Sequence, residues 1–301
     1  MSSRDEPTFS VVIPTYGRPD LLARCLGALA GLDPPSGGFE VIVVDDGSPN
    51  RLDPVVSEYD QLLALRLCRK RNGGPASARN LGALVARGDW LVFLDDDCVP
   101  EAGWLLGFEA ARVREPSGAA GGSIANSPDD SIYSVASNLL LAYLYDYYNR
   151  PGATGRFYAT ANLACSRQTF LEMGGFDESF RIAAAEDRDF CDRWVERGHP
   201  MVFADVAVVD HAPNLSLRRF LRQHFNYGRG AQHLHVARLR RGLVRPRIEP
   251  LRFYRGLLAA AFNGRSNRNS LALVVLLALT QAVYVTGYAA ERAVSGMTSP
   301  D

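Results

Sequence analysis

The densest carboxylate groups of the sequence are Asp45-Asp46-Gly47-Ser48 and Asp95-Asp96-Asp97, and each group follows a short apolar run. Like charges packed together cost free energy unless a cation or hydrogen-bond donors compensate them, so the two groups predict a divalent metal site. The alternative interpretation is that aspartates at strand ends cap the following helices or form turns.

A third acidic group, Glu186-Asp187, lies in a predicted helix over residues 183–195. Asp187 falls on the face that the apolar positions predict to be buried, and the helix dipole favours an ionised carboxylate there, which a general base needs. The alternative is a helix-terminal charge without chemistry. The predicted buried positions are Phe190, Cys191, Trp194 and Val195, and the predicted solvated positions are Asp189, Asp192 and Glu196.

The elements that must position these side chains alternate between strands and helices. Short β-branched apolar runs predict strands over residues 9–14, 39–44, 63–68, 90–94 and 201–209, and helical spacing predicts helices over residues 21–29 and 75–87. Strands that are apolar on both faces indicate an α/β fold with a mostly parallel central sheet and flanking helices. Ligands of such sheets bind outside the carboxyl ends of the strands, which is where the aspartates lie.

The formal net charge of the 301-residue chain is +0, but the charge is unevenly distributed. Residues 1–210 carry 30 acidic and 19 basic side chains, a net charge of −11, whereas residues 211–301 carry 3 acidic and 14 basic side chains, a net charge of +11. A hydrophobic content of 47% and a charged content of 22% exclude a disordered or collagen-like chain. The sequence has no G-x-x-x-x-G-K-[ST] loop and no G-x-G-x-x-G fingerprint, and Lys70 is its only lysine, which argues against two large classes of nucleotide enzyme.

The basic tail contains a run of arginines followed by an uncharged apolar segment, residues 271–290. That segment is long enough for a helix to span about 30 Å of hydrocarbon, and it also suits a helix that lies in the membrane interface or packs on a partner. The arginines predict contact with anionic lipid head groups or with a diphosphate, the alternative being a solvated helix face. They are Arg218, Arg219, Arg222, Arg229, Arg238, Arg240, Arg241, Arg245, Arg247, Arg252 and Arg255.

The five cysteines are odd in number and form no C-x-x-C pair, and the polar N-terminal segment lacks an apolar signal core. We therefore expect free thiols and a cytoplasmic catalytic part, because disulfides belong to oxidising compartments. Arginines directly before the apolar segment also favour a body on the cytoplasmic face of the membrane.

The order of the motifs resembles the family 2 glycosyltransferases of GT-A fold, over roughly residues 8–230. The motifs are Val-Val-Ile-Pro-Thr-Tyr-x-Arg (residues 11–18), Val-Val-Asp-Asp-Gly-Ser (43–48), Gly-Gly-Pro-Ala-x-Ala-Arg-Asn-x-Gly (73–82), Phe-Leu-Asp-Asp-Asp-x-x-Pro (93–100), Gly-Gly-Phe-Asp-Glu (174–178) and Glu-Asp (186–187). The resemblance implies the nucleotide-diphospho-sugar transferase (GT-A) fold and an inverting transferase that uses a nucleotide-sugar donor and Mg²⁺ or Mn²⁺.

The resemblance also implies roles for individual residues. Asp95 and Asp97 would be the ends of a D-x-D motif that contacts the metal, with Asp96 between them on the donor side. Asp187 would be the catalytic base, with Glu186 as the other member of the acidic pair. The donor nucleotide would be held by Pro14, Thr15, Tyr16, Arg18, Asp45, Asp46 and Arg79.

Roles are also predicted for residues outside these motifs. Asn162 falls where the donor-sugar pocket of the family lies, and His211 is expected as a further metal or diphosphate ligand, the alternative being a structural histidine. Cys98 is interpreted as a small packing residue. The tyrosines at 143, 145, 147 and 148 suit either a packed helix or a wall on which an acceptor stacks. Residues 223–229 stand where processive members carry Gln-x-x-Arg-Trp, and this chain lacks that motif.

The sequence therefore predicts an inverting glycosyltransferase of cell-envelope type that moves a sugar onto an acceptor hydroxyl, on a lipid or lipid-linked glycan, with no nucleic-acid partner. The predicted organisation is a catalytic domain over residues 1–215, an arginine-rich helical segment over 216–268 and an apolar C-terminal helix and tail over 269–301. The alternatives are a sugar nucleotidyltransferase and a non-catalytic nucleotide-sugar-binding membrane partner.

Overall fold

The computed structural model describes residues 6–125, 131–150, 156–182, 184–211, 215–243, 249–262 and 267–297. The chain divides into two compact units. The first unit comprises Met1–Ala125, Tyr158–Arg181 and Phe190–His211, and the second comprises Asn126–Phe157, Ile182–Asp189 and Ala212–Asp301. The predicted division at residues 215 and 268 stays a prediction.

All eight described strands belong to the first unit and form one sheet. They are β1 (Phe9–Thr15), β2 (Phe39–Asp45), β3 (Leu65–Arg69), β4 (Trp90–Leu94), β5 (Cys98–Pro100), β6 (Ala119–Ala125), β7 (Asn162–Ser166) and β8 (Met201–His211). Their order in the sheet is β3-β2-β1-β4-β7-β6-β8-β5. Strands β7 and β5 run antiparallel to their neighbours and the other strands share one direction, so the α/β class and the mostly parallel sheet are confirmed.

The helices alternate with these strands and then dominate the second half of the chain. They are α1 (Pro19–Ala30), α2 (Asp53–Ser57), α3 (Pro75–Val85), α4 (Trp104–Arg114), α5 (Ile132–Asn149), α6 (Arg167–Glu172), α7 (Glu186–Glu196), α8 (Leu217–Arg240), α9 (Leu251–Ala260) and α10 (Asn267–Met297). Helices α1, α3 and α7 are the three predicted from apolar spacing, and α7 begins at Glu186, three residues later than predicted.

The core of the first unit lies on the parallel part of the sheet. Every residue of β1 is buried, and Val11 and Ile13 share one cluster with Val41 and Val43 of β2. Leu22 and three further apolar residues of α1 close that cluster from one face at helical spacing. The register of β1 and β2 therefore rests on a continuous buried surface, which fixes which residues come at the ends of these strands.

The second unit is helical and has its own apolar cluster, which joins Phe220 of α8, Phe253 and Leu257 of α9 and Leu273 and Leu277 of α10. The tyrosines of α5 pack within this unit. Tyr143 donates a hydrogen bond to the Phe253 carbonyl (2.7 Å), and Tyr147 and Tyr148 donate to Glu249 (3.1 and 2.8 Å). Tyr145 stacks edge-on against Phe157. These contacts favour the packed-helix interpretation of the tyrosines over the acceptor wall.

Candidate active site

The carboxyl ends of three neighbouring parallel strands bring the predicted aspartates to one edge of the sheet. Thr15 at the end of β1 lies in register with Asp45 at the end of β2, and β4, which precedes Asp95, pairs with β1 on its other side. The Thr15 hydroxyl donates a 2.6 Å hydrogen bond to Asp96. The convergence of the aspartate groups at this edge is thereby confirmed.

Two arginine side chains form ion pairs with the carboxylates of Asp95, Asp96 and Asp97. Arg79 lies 2.6 Å from Asp95, and Arg18 lies 2.5 Å from Asp96 and 3.0 Å from Asp97. Two arginines therefore compensate part of the carboxylate charge, and the divalent metal site stays a prediction. Arg18 and Arg79, which the resemblance assigned to the donor nucleotide, thus form ion pairs with the Asp95–Asp97 group.

The carboxylates of the Asp45–Ser48 turn accept hydrogen bonds from neighbouring groups of the chain. Asp46 accepts hydrogen bonds from Lys70 Nζ (2.8 Å) and from the backbone N–H groups of Gly73 (2.9 Å) and Gly74 (2.8 Å), which precede α3. Asp45 accepts from the Ser48 N–H (2.8 Å). Both carboxylates are almost completely buried, so we interpret them as groups that position the loops at this edge.

Two basic residues that the sequence analysis did not assign belong to the same edge. Arg69 donates to the Ser48 carbonyl (2.7 Å), and Lys70 pairs with Asp46. Together with Gly47, Arg71 and Asn72 they line an open depression of about 790 Å³. The signal was present in the sequence, because the basic run Arg69-Lys70-Arg71 begins at the last residue of β3. Asp45 pairs with Arg69 in the register of β2 and β3.

The neighbouring carboxylates Asp96 and Asp97 have opposite electrostatic environments. Burial raises the pKa of Asp96 to about 7, although Arg18 opposes the shift. Burial also acts to raise the pKa of Asp97, but the hydrogen bond and charge of His211, together with Arg18, outweigh it and lower the pKa to about 2. Asp97 is thus the carboxylate of the pair that stays ionised near neutral pH.

A short antiparallel pairing brings His211 to Asp97. Cys98 of β5 lies opposite His211 of β8, and His211 Nε2 is 3.5 Å from Asp97 Oδ1. The ligand atoms of Asp97, Cys98 and His211 all lie within 4.8 Å of one another. Burial and the nearby Asp97 raise the pKa of the Cys98 thiol well above its usual value, so the thiol is a poor ligand and the packing interpretation of Cys98 is favoured. A carboxylate oxygen and an imidazole nitrogen remain; the carboxylate suits either ion, whereas the imidazole favours a transition metal, so this donor set suits Mn²⁺ better than Mg²⁺.

Asn162 does not lie in an open pocket, contrary to the expectation that it binds the donor sugar. Its side chain is fully buried and donates to the carbonyls of Ser123 and Ala207 (2.8 Å each), while its oxygen accepts from the Trp104 indole (2.8 Å). Both amide hydrogens and the carbonyl oxygen are therefore engaged in the core. Asn162 joins β6, β8 and α4, and the geometry opposes a role in sugar binding.

Glu186 and Asp187 lie in the first turn of α7. Residues 186–189 of this helix belong to the second unit, and its later residues belong to the first. Glu186 is buried, and Asp187 is partly buried and accepts a 2.7 Å hydrogen bond from the Arg188 N–H. Asp187 therefore has the helix N-terminal position that was predicted for it. Residue 183, the predicted start of the helix, lies outside the described residues.

Two predictions about α7 were wrong. Asp189 was expected to be solvated, but it is completely buried and lies 2.6 Å from Arg241 at the end of α8, which compensates its charge. Val195 was expected to be buried, but 39% of it is exposed. The first turn of α7 is held further by Arg188, whose guanidinium lies over the rings of Tyr148 (4.8 Å) and Phe157 (5.1 Å).

The tail arginines are divided between internal pairs and the surface. Arg229 pairs with Glu291 (2.6 Å) and Arg241 with Asp189, so these two are not available for lipid or diphosphate. Arg245 and Arg247 lie outside the described residues. The exposed arginines are Arg218, Arg219, Arg222, Arg240, Arg252 and Arg255.

Comparison with known proteins identifies the family. Residues 10–173 match the sequence profile described as "Glycosyl transferase family 2", which is more than half of the chain. The chain belongs to glycosyl transferase family 2. The matched region contains both aspartate groups, and the family membership that the motifs predicted is confirmed.

Curated family 2 relatives match most of this chain. It is 30% identical over 234 residues to the pre-mycofactocin glycosyltransferase of Mycobacterium tuberculosis, covering 75% of this chain and 47% of that protein. It is 28% identical over 259 residues to the validoxylamine A glucosyltransferase of Streptomyces hygroscopicus subsp. limoneus, covering 72% and 57%. The chain thus spans about half the length of these curated relatives.

Solved structures confirm the GT-A fold. The mannosyltransferase PcManGT from Pyrobaculum calidifontis, solved in complex with GDP-Man and Mn²⁺, matches with a TM-score of 0.61 at 20% identity, covering 98% of this chain and 88% of that one. Staphylococcus aureus TarS 1–349 in complex with UDP-GlcNAc matches with a TM-score of 0.57 at 17% identity, covering 98% and 93%. At these identities the likeness is one of fold.

Proposed function

We propose that this family 2 chain is an inverting glycosyltransferase that moves one sugar from a nucleotide-sugar donor to an acceptor hydroxyl on a lipid or lipid-linked glycan. The observation that carries the proposal is the carboxylate edge at the ends of β1, β2 and β4, where Asp97 lies beside His211. That edge is where an open α/β sheet binds its ligand.

On the donor side, accessibility separates binding residues from supporting residues. Tyr16 is 50% exposed and the Arg18 side chain is 45% exposed, so these two are proposed to contact the nucleotide, the Tyr16 ring through its face and Arg18 through its charge. Pro14, Thr15, Asp45, Asp46 and Arg79 are buried beneath them and are proposed to fix the loops that carry them.

A divalent cation, Mg²⁺ or Mn²⁺, is proposed to bind Asp97 and His211, with Asp95 beside them. The fit rests on the donor set, an ionised carboxylate and an imidazole nitrogen 3.5 Å apart. When bound, such a cation neutralises charge on the diphosphate as it leaves. Arg18, which already faces Asp96 and Asp97, supplies a further positive charge at the same place.

Asp187 is proposed to be the general base that accepts the proton of the acceptor hydroxyl. Its place in the first turn of α7 favours the ionised form through the helix dipole. Glu186 and Asp189, its buried neighbours in the same turn, are proposed to hold that turn in place. With the donor sugar attacked directly by the acceptor oxygen, one proton transfer and one displacement complete the reaction, and the anomeric configuration inverts.

The proposed place of action is the cytoplasmic face of the membrane. Support comes from α10, in which Ser270–Val294 is long and apolar enough to cross a membrane, with a mean hydropathy of 1.9, and from the net charge of +11 over residues 211–301. An acceptor on a lipid would be presented at that surface.

The test is a nucleotide-sugar panel assayed for nucleotide release, with lipid-linked glycans and a soluble acceptor such as validoxylamine A, in the presence of Mn²⁺, Mg²⁺ or a chelator. We expect one donor to give metal-dependent nucleotide release and a product of inverted anomeric configuration. Pyrophosphate production from a nucleoside triphosphate and a sugar phosphate would instead establish a nucleotidyltransferase. Tight donor binding with no turnover on any acceptor would establish a non-catalytic binding protein.

A further inference from the structure

Helix α10 presents an uninterrupted apolar stripe to its surroundings. Leu271, Val275 and Val285 are 65%, 60% and 62% exposed, and alanines separated from them by three or four residues are exposed too. Residues at such spacings share one side of a helix. We call this stripe the outer face of α10; it consists of Leu271, Val275, Ala278, Ala282, Val285 and Ala289, and none of its side chains is charged.

The opposite side of α10 is buried and holds polar groups of the helix. Leu273 and Leu277 belong to the apolar cluster of the second unit, while Thr280, 1% exposed, donates to the Leu277 carbonyl (2.6 Å). Glu291 is 8% exposed and pairs with Arg229 (2.6 Å) and His233 (2.9 Å) of α8. A helix at a water-facing surface has the reverse arrangement, with its polar side chains outward.

Helices α8 and α10 approach each other closely along their backbones. A Cβ atom added to Gly228 of α8 would lie 2.0 Å from the Tyr284 carbonyl oxygen, and one added to Gly287 of α10 would lie 2.0 Å from the Phe225 carbonyl oxygen. Gly228 lies near Tyr284 and Phe225 near Gly287, so the two helices run antiparallel and the later turns of α8 lie beside the apolar part of α10. Those turns carry Arg238, whose charge acts on Tyr284, and exposed Arg240, and charged side chains are costly in hydrocarbon. A spanning α10 would have to leave α8 or draw those arginines into the bilayer.

We propose that α10 does not span the membrane but lies in its plane, with the outer face against an anionic lipid surface. This proposal deepens, and rests on, the proposed membrane association. The charge of the tail selects lipid over a second copy of the chain, because two tails of net charge +11 would repel each other whereas anionic head groups attract them. Arg292, exposed and three residues beyond Ala289, lies next to the end of the outer face, where it can reach head groups.

The test is co-sedimentation of the full chain with phosphatidylcholine vesicles and with phosphatidylcholine vesicles that contain phosphatidylglycerol. We expect binding to the anionic vesicles, and we expect alkaline carbonate to release the bound chain. The double variant Val275→Glu/Val285→Glu should lower the partition coefficient at least tenfold. The double variant Val275→Asn/Val285→Asn should lower it too, but by a smaller factor, because it adds no negative charge. The matched control is Val113→Glu, because Val113 is 70% exposed on α4 of the first unit, and it should bind as the wild type does.

Three outcomes would overturn the proposal. Resistance to carbonate extraction would show a spanning helix, equal binding to both kinds of vesicle would remove the role of charge, and a dimer abolished by the double variant would show that a second copy covers the outer face. Nucleotide release measured in detergent separates this proposal from the proposed function. A chain that binds anionic vesicles but turns over no donor contradicts the function alone, and a chain that turns over donor but binds no vesicles contradicts the membrane proposal alone.

Discussion

The two units hold their acidic residues by different means. In the first unit, strand register brings the aspartates to one edge, and Arg18 before α1 and Arg79 of α3 pair with them. In the second unit, the first turn of α7 is not part of a sheet and is held by side chains of other helices, such as Arg241 of α8, which pairs with Asp189. The position of a carboxylate can therefore be predicted from sequence where a strand end places it, whereas the environment of a carboxylate on a helix depends on side chains of other elements that the local sequence does not reveal.

The largest expected effect is the loss of activity on substitution of Asp187, in the first turn of α7. Asp187→Asn keeps the size of the side chain but removes the basic oxygen, so we expect kcat to fall roughly 10³-fold, about 4 kcal/mol of transition-state stabilisation. The measurement is nucleotide release at saturating donor and acceptor. Asp192→Asn, five residues later on the same helix, is the control and should retain its activity. Full activity of Asp187→Asn would mean that no base acts from this turn.

The buried pair in the second unit has the next largest expected effect. Asp189→Ala leaves the Arg241 charge partly buried, and we expect a loss of about 3–4 kcal/mol in the free energy of unfolding, measured by urea denaturation. The double variant Asp189→Ala/Arg241→Met should recover part of that loss. In the first unit, Asp53→Ala breaks the exposed pair with Arg51 and should cause no measurable change. Equal effects at the two pairs would remove the distinction between the units.

A substitution at Asp97, in the first unit, has the third largest expected effect. Asp97→Asn removes the ionised oxygen that faces His211, so we expect donor turnover to fall roughly 10²-fold, about 2.7 kcal/mol, and the Mn²⁺ concentration for half-maximal activity to rise. Asp60→Asn, an exposed site of the same unit, should leave the metal titration unchanged. If Asp97→Asn shows the metal dependence of the wild type, the cation does not bind here.

The same contrast explains what the sequence could predict. Strands β1, β2 and β4 were predictable because each is a short run of buried apolar residues, and their carboxyl ends placed the aspartates correctly. Strand β6 was missed because it is built from Ala119-Ala-Gly-Gly-Ser, without an apolar pattern; Gly121 is required there because a Cβ would lie 2.0 Å from the Tyr158 ring. Asn162 and Asp189 were misread because their partners are remote in the sequence.

A pH titration gives the smallest expected effect and concerns only the second unit. His224 of α8 is 2% exposed beside Ser137 (3.1 Å), and burial lowers its pKa from 6.5 to about 4. The folded chain therefore binds fewer protons than the unfolded chain between these values, and stability falls as the pH decreases from about 6.5 towards 4. The expected loss is about 2 kcal/mol at about pH 5 relative to neutral pH.

His224→Gln should remove this part of the pH dependence, measured as the difference in unfolding free energy from the wild type between about pH 6.5 and pH 4. His199→Gln removes an imidazole from the first unit and should leave the dependence as in the wild type; a His224→Gln curve parallel to the wild-type curve would show that this histidine does not set the acid limit.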